Sequence, residues 1–160
     1  MKKSLILLIL VFSVTGALFA DFSFKFYPGL YLGGGNVDKT YKLSIGADLQ
    51  LGFEIGGEYD GYIIGIFGNC GIDSGLPNSP NLYYGFMIDL LGGDEIFMGI
   101  SAGLGRNIGL ASGLNSYDTA YIRVGIPFSF YGIIKSSLYL DWYFDIGLRL
   151  GYIIHLGIGS

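Results

Sequence analysis

The sequence predicts an all-β fold, an eight-stranded antiparallel up-and-down β-barrel that crosses a membrane with its strands, and three observations carry that prediction. The first is a period-2 alternation of apolar and polar residues, the signature of strands rather than helices. From Thr40 to Ile55 the odd positions read Tyr41, Leu43, Ile45, Ala47, Leu49, Leu51, Phe53 and Ile55. The even positions read Thr40, Lys42, Ser44, Gly46, Asp48, Gln50, Gly52 and Glu54. The second is composition: 51% of the 160 residues are hydrophobic and 14% charged, where an ordinary soluble domain is about 25% charged. The third is where the charge falls. Lys25, Lys42, Asp48, Glu54, Asp89, Glu95, Arg123, Asp141, Asp145 and Arg149 all share parity with the glycine-rich polar face, and none lies on the apolar one.

The elements follow in order. Lys2 and Lys3, the apolar run Leu5 to Phe12 and the small-residue stretch ending at Ala20 read as a secretory signal peptide, residues 1–20, cut after Ala20 with Ala17 as runner-up. Residues 21–160 are then the barrel domain. The first strand, 22–33, sets Phe22, Phe24, Phe26, Leu30 and Leu32 against Ser23, Lys25, Tyr27, Gly29, Tyr31 and Gly33. Further strands fall at 40–55, 62–72, 82–91, 95–105 and 119–131, with Ile96, Met98, Ile100, Ala102 and Leu104 on one face of the fifth. Clusters of Gly, Asn, Asp, Pro and Ser punctuate them at Gly34 to Lys39, Gly56 to Gly61, Asp73 to Asn81, Gly92 to Asp94, Arg106 to Asp118 and Gly132 to Ser137. Leu138 to Ile158 alternates for 21 residues. At about 3.3 Å per residue that would span roughly 70 Å, more than twice a bilayer's hydrocarbon core, so it folds back on itself. A loop of odd length, at Gly147 to Arg149 or at Asp141 to Asp145, preserves the parity and brings the strands to eight.

Several classes are excluded. A net charge of -4 argues against a nucleic-acid partner. The single cysteine, Cys70, builds neither an internal disulfide nor a Cys-based zinc site, and its parity puts it on the apolar face. No later apolar stretch reaches the length of a membrane helix. Gly33-Gly34-Gly35 and Gly103-Leu104-Gly105 lack phosphate-loop spacing. No metal or cofactor is expected.

Alternation alone also fits an exported lipocalin-like barrel with its apolar face turned inward around a ligand. Three features favour the membrane. Glycines 29, 33, 46, 52, 65, 99, 103, 105 and 125 lie on the polar face, where a narrow lumen needs small residues beside large ones. Phe22, Phe24, Phe26, Tyr84, Phe128 and Phe130 gather toward strand ends, as interfacial girdles do. The connections 73–81 and 106–118, on the outward side if the N-terminus is periplasmic, are the longest.

In these respects the chain resembles the small eight-stranded outer-membrane barrels of the OmpA and OmpX type: a signal peptide, dyad strands, short inner turns and longer outer loops, over essentially all of residues 21–160. Members usually finish on an aromatic residue, whereas here Tyr152, Ile154, Leu156 and Ile158 keep the alternation before Gly159 and Ser160. The resemblance implies a bacterial outer-membrane location, outer-membrane lipid as surroundings, and handling by periplasmic chaperones and the barrel-assembly machinery.

The ten charged residues of the polar face are expected to form a salt-bridged plug, since charges inside a closed barrel must be paired or hydrated. The alternative is a narrow cation-preferring channel lined by the same residues. His155, the only histidine, shares their inward parity with no serine nucleophile placed beside it, so it is expected in a polar network and the protein is expected not to be an enzyme. The expected role is structural or surface-interacting, with loops 73–81 and 106–118 as contact regions for a surface ligand.

Overall fold

A computed structural model describes residues 22–37, 40–57, 61–74, 80–94, 96–110, 118–130, 133–144 and 147–157. They form eight strands: β1 (Phe22–Val37), β2 (Thr40–Gly57), β3 (Tyr62–Asp73), β4 (Asn81–Gly92), β5 (Ile96–Gly109), β6 (Asp118–Phe130), β7 (Ile134–Tyr143) and β8 (Gly147–Leu156). Each pairs antiparallel with its sequence neighbour, and β1 closes on β8, giving a closed up-and-down barrel. We call the end carrying the β1–β2, β3–β4, β5–β6 and β7–β8 connections the upper end.

Register fixes the barrel's width. A path across the strands from Lys25 runs through Gly52, Phe67, Met87, Gly103, Arg123, Asp141 and Arg149 and returns to β1 at Gly35, ten residues above its start. Eight strands with that stagger tilt by roughly 40° and leave a backbone radius of about 8 Å, room for side chains and little more.

The period-2 pattern decides which face goes where, and the apolar face points out. Leu30, Leu32, Leu43, Ile45, Ile100 and Leu104 are all 60% or more exposed, and Cys70 lies on the same outer face. This overturns the lipocalin-like arrangement, because the charged face, not the apolar one, lines the interior. Along β5 the outward residues are Ile96, Met98, Ile100, Ala102 and Leu104, followed by Arg106. At the barrel's tilt, Ile96 to Arg106 covers about 25 Å of height.

Inside, glycines make room for large rings. A Cβ on Gly65 would meet the Phe67 ring, one on Gly71 the Tyr83 ring, one on Gly125 the Tyr139 ring and one on Gly151 the Tyr31 ring. Ile63, Leu91 and Phe97 close the lower end of the lumen with an apolar cluster.

Several boundaries differ from those the sequence predicts. β7 begins at Ile134, so Lys135, Ser136 and Ser137 are strand rather than turn. The last hairpin turns between Tyr143 and Gly147, which are register partners, so both Asp141 and Arg149 lie in strands. The intervening loop has odd length, as parity demands, and Gly147 takes φ +131, a region that favours glycine. Finally, β1, β5 and β6 run further up than predicted, bringing Arg106 and Asp118 into strands. Residues 1–21, Glu95, Asp145 and the centres of loops 73–81 and 106–118 lie outside the described residues.

Candidate functional site

The candidate site is the lumen. Eight of the ten predicted charges are described, and all eight occupy inward positions. Asp48, Glu54, Asp89, Arg123, Asp141 and Arg149 are buried, while Lys25 and Lys42 are half-buried toward the lower and upper mouths. The structure adds Asp73 and Lys135, which the sequence pattern places in loop clusters.

In the upper lumen, Arg123 on β6 donates to both oxygens of Asp141 on β7, from Nε at 2.6 Å and from Nη2 at 2.9 Å. Arg149 on β8 donates from Nη1 to Asp73 on β3 at 2.7 Å. Its Nη2 reaches Asp141 at 3.2 Å and the Tyr143 hydroxyl at 2.5 Å. Two guanidiniums and two carboxylates thus join four strands in a chain that contains no solvent-exposed member.

At mid-height, His155 Nε2 sits 2.5 Å from Asp48 Oδ1, and the Tyr83 hydroxyl donates to Asp48 Oδ2 at 2.5 Å. His155 lies inward, as its parity predicts, and the residue it engages is a carboxylate. Lower down, Lys135 forms an ion pair with Asp89 and donates to Gln50 Oε1 at 3.1 Å. Gln50 Nε2 donates to the Tyr139 hydroxyl at 3.4 Å, and the Tyr27 hydroxyl donates to Glu54 at 2.9 Å.

Aromatic rings complete each cation's surroundings. The Arg123 guanidinium lies 4.7 Å from the Tyr139 ring centre and 5.4 Å from those of Tyr83 and Tyr121. Arg149 lies 4.7 Å from the Tyr31 ring centre, and the Lys135 ammonium 3.9 Å from that of Phe67. Ring faces are electron-rich, so they supply favourable field where water is excluded. Of this tyrosine lining the sequence pattern places only Tyr27 and Tyr31 on the polar face, because tyrosine occurs on both faces. Only the inward parity of Tyr27, Tyr31, Tyr83, Tyr121, Tyr139 and Tyr143 could have revealed it.

Chemically, the arrangement pairs Arg123, Arg149 and Lys135 with Asp141, Asp73 and Asp89 and sets His155 against Asp48, side chain to side chain within the lumen. Removing Asp141 would strand the buried Arg123, so the network acts as a set of cross-braces whose members depend on one another.

The outer face carries one contrasting pair. Arg106 on β5 donates to Asp118 on β6 at 3.0 Å from Nε and 2.7 Å from Nη2, with the two side chains 56% and 40% exposed. Among the described strand residues these are the only charges that point outward, and both sit at the top of the apolar wall.

A solved chain from the de novo design of transmembrane β-barrels is similar to this one at 11% identity, covering 82% of this chain and 95% of that chain with a TM-score of 0.43. No protein-family model matches the chain, and no curated protein matches it.

Proposed function

We propose that this protein is a bacterial outer-membrane barrel of the OmpA and OmpX type, exported by its N-terminal signal peptide, that anchors outward loops rather than conducting solute. The observation that carries the reading is the sorting of charge. An uncharged apolar wall, about 25 Å tall on β5, faces outward, and the charged side chains below its top face inward. That height matches the apolar band of strand-spanning membrane proteins, in which a charge on the lipid face is costly. Trp142, Phe144 and Tyr84 near the top, and Phe22, Phe24, Tyr62 and Phe130 near the bottom, supply the interfacial aromatics.

The closed lumen favours an anchor over a narrow cation-preferring channel. Phe67, Met87, Tyr83, Tyr139, Arg123 and Asp141 are fully buried at successive heights, and the apolar cluster of Ile63, Leu91 and Phe97 lies beneath them. Loops 73–81 and 106–118 then become the contact regions for a surface ligand, lipid surrounds the wall, and assembly runs through periplasmic chaperones and the barrel-assembly machinery. No catalytic role falls to His155.

The test is to insert residues 21–160 into phospholipid vesicles and record planar-bilayer currents from the same preparation. Protein that floats with vesicles after alkaline washing and passes no steady current fits the anchor. Steady conductance that changes with Asp48→Asn or Arg123→Gln would replace it with the pore, and lipid hydrolysis abolished by His155→Ala would replace it with an enzyme.

A further inference from the structure

The seam that closes the barrel, β1 against β8, has nine register pairs among the described residues, one fewer than β6–β7 and β7–β8 and seven fewer than β1–β2. Among the described residues, Phe22 to Pro28 in the lower part of β1 have no partner on β8 in this register. A seam with the shortest described ladder, joining the first strand to the last, is where a closed sheet would part first.

Two side chains of β8 counter this from inside. Asp48, Gly29 and His155 form one register row on β2, β1 and β8. The His155 ring passes over Gly29, where a Cβ would meet its Cδ2 and Cγ, and reaches Asp48 at 2.5 Å, two strands away. Near the top, Arg149 lies opposite Gly35, where a Cβ would meet the Arg149 Cα and Cβ, and its guanidinium reaches Asp73 on β3 at 2.7 Å. At both clasp positions the inward residue of β1 is therefore glycine. All four polar partners are buried.

We propose that these two contacts, His155–Asp48 and Arg149–Asp73, are clasps that fasten the last strand over the first, and that the closing seam owes its resistance to lateral opening to them rather than to its backbone ladder. Buried hydrogen bonds to charged groups are among the stronger single contacts in a protein, and here each spans the seam without belonging to it. The His155 clasp also accounts for the glycine at 29, where the ring leaves no room for a Cβ, whereas at Gly35 a Cβ would first meet the Leu148 carbonyl of the neighbouring strand.

The inference rests on the closed fold and not on the membrane reading, so it is tested in whichever medium, zwitterionic micelles or plain buffer, folds residues 21–160. Amide hydrogen exchange is measured for the wild type and for Asp48→Asn/Asp73→Asn, which keeps side-chain shape while removing both negative charges. In the wild type, seam amides of residues 29–37 and 147–155 should exchange no faster than those of β3 and β4. In the double variant they should exchange about tenfold faster or more, with β3–β4 amides unchanged. Seam amides already the fastest in the wild type would overturn the proposal even if the variant fails to fold, as would a variant whose exchange is unchanged or rises evenly round the barrel.

Discussion

Replacing Asp141 with alanine should be the most damaging single change in the upper lumen, and the structure allows its size to be worked out. The Asp141 carboxylate accepts from Arg123 Nε and Nη2, Arg149 Nη2 and the Tyr143 hydroxyl. Arg149 retains Asp73 when Asp141 is lost, whereas Arg123, fully buried, has no second carboxylate bonded to it among the described residues. The loss therefore strands one cation. Breaking a buried pair on one side costs about 3–5 kcal/mol, against a total stability of about 5–15 kcal/mol for a domain. With a urea slope of about 2 kcal/mol/M, the midpoint should fall by about 2 M. The assay is urea unfolding in micelles followed by the fluorescence of Trp142, the only tryptophan. The control is built into the molecule, since Arg106–Asp118 has the same two-pronged geometry on the exposed outer face. Asp118→Ala should leave the midpoint unmoved within error, because solvent screens that pair. Adding Arg123→Met to Asp141→Ala should recover much of the loss by removing the stranded charge. Equal shifts for Asp141→Ala and Asp118→Ala would refute the reasoning, for burial would then not be what gives the lumen pair its weight.

Three further outcomes follow from particular positions. Val124→Arg places a charge on the outer wall and should cost about 2–4 kcal/mol in lipid or micelles, where a solvated surface would tolerate it; the same urea titration reads it. Gly125→Val should destabilise by about 1–3 kcal/mol, because its Cβ would meet the Tyr139 ring and Ser101 Oγ; a loss of heat resistance on an unboiled gel reports it. The β5–β6 register is unbroken except at Gly99 and Ile100, opposite Ile126 and Pro127, where the proline brings no N–H. Pro127→Val should close that gap and slow amide exchange at Gly99 and Ile100, and unchanged exchange there would show that the proline is not its cause.

Much of this fold is legible in the sequence because β-structure writes its faces as parity. The alternation places every inward side chain from Lys42 to Glu54 of β2 correctly, and the same rule puts His155 and the described charges of the polar face inside. Three features were not legible, each for a physical reason. Lys135, Ser136 and Ser137 carry turn chemistry, yet neighbours on β6 and β8 pair with them and hold them extended, so tertiary context overrode local preference. The last hairpin left no break in the pattern because an odd loop conserves parity, and only Gly147 marks it. Which acid meets which base depends on the ten-residue stagger, which brings Arg149 to Asp73 across 76 residues of chain; no spacing along the sequence encodes that encounter.

The central claim is that the uncharged wall faces lipid and the charges face a closed lumen. Its most direct test is to dilute urea-unfolded residues 21–160 into zwitterionic micelles and, separately, into buffer, and to compare circular dichroism and the gel mobility of boiled and unboiled samples. A lipid-facing wall around a charged lumen predicts β-type spectra and a heat-dependent mobility shift in micelles, with aggregation in buffer. A monodisperse, folded protein in plain buffer would contradict it.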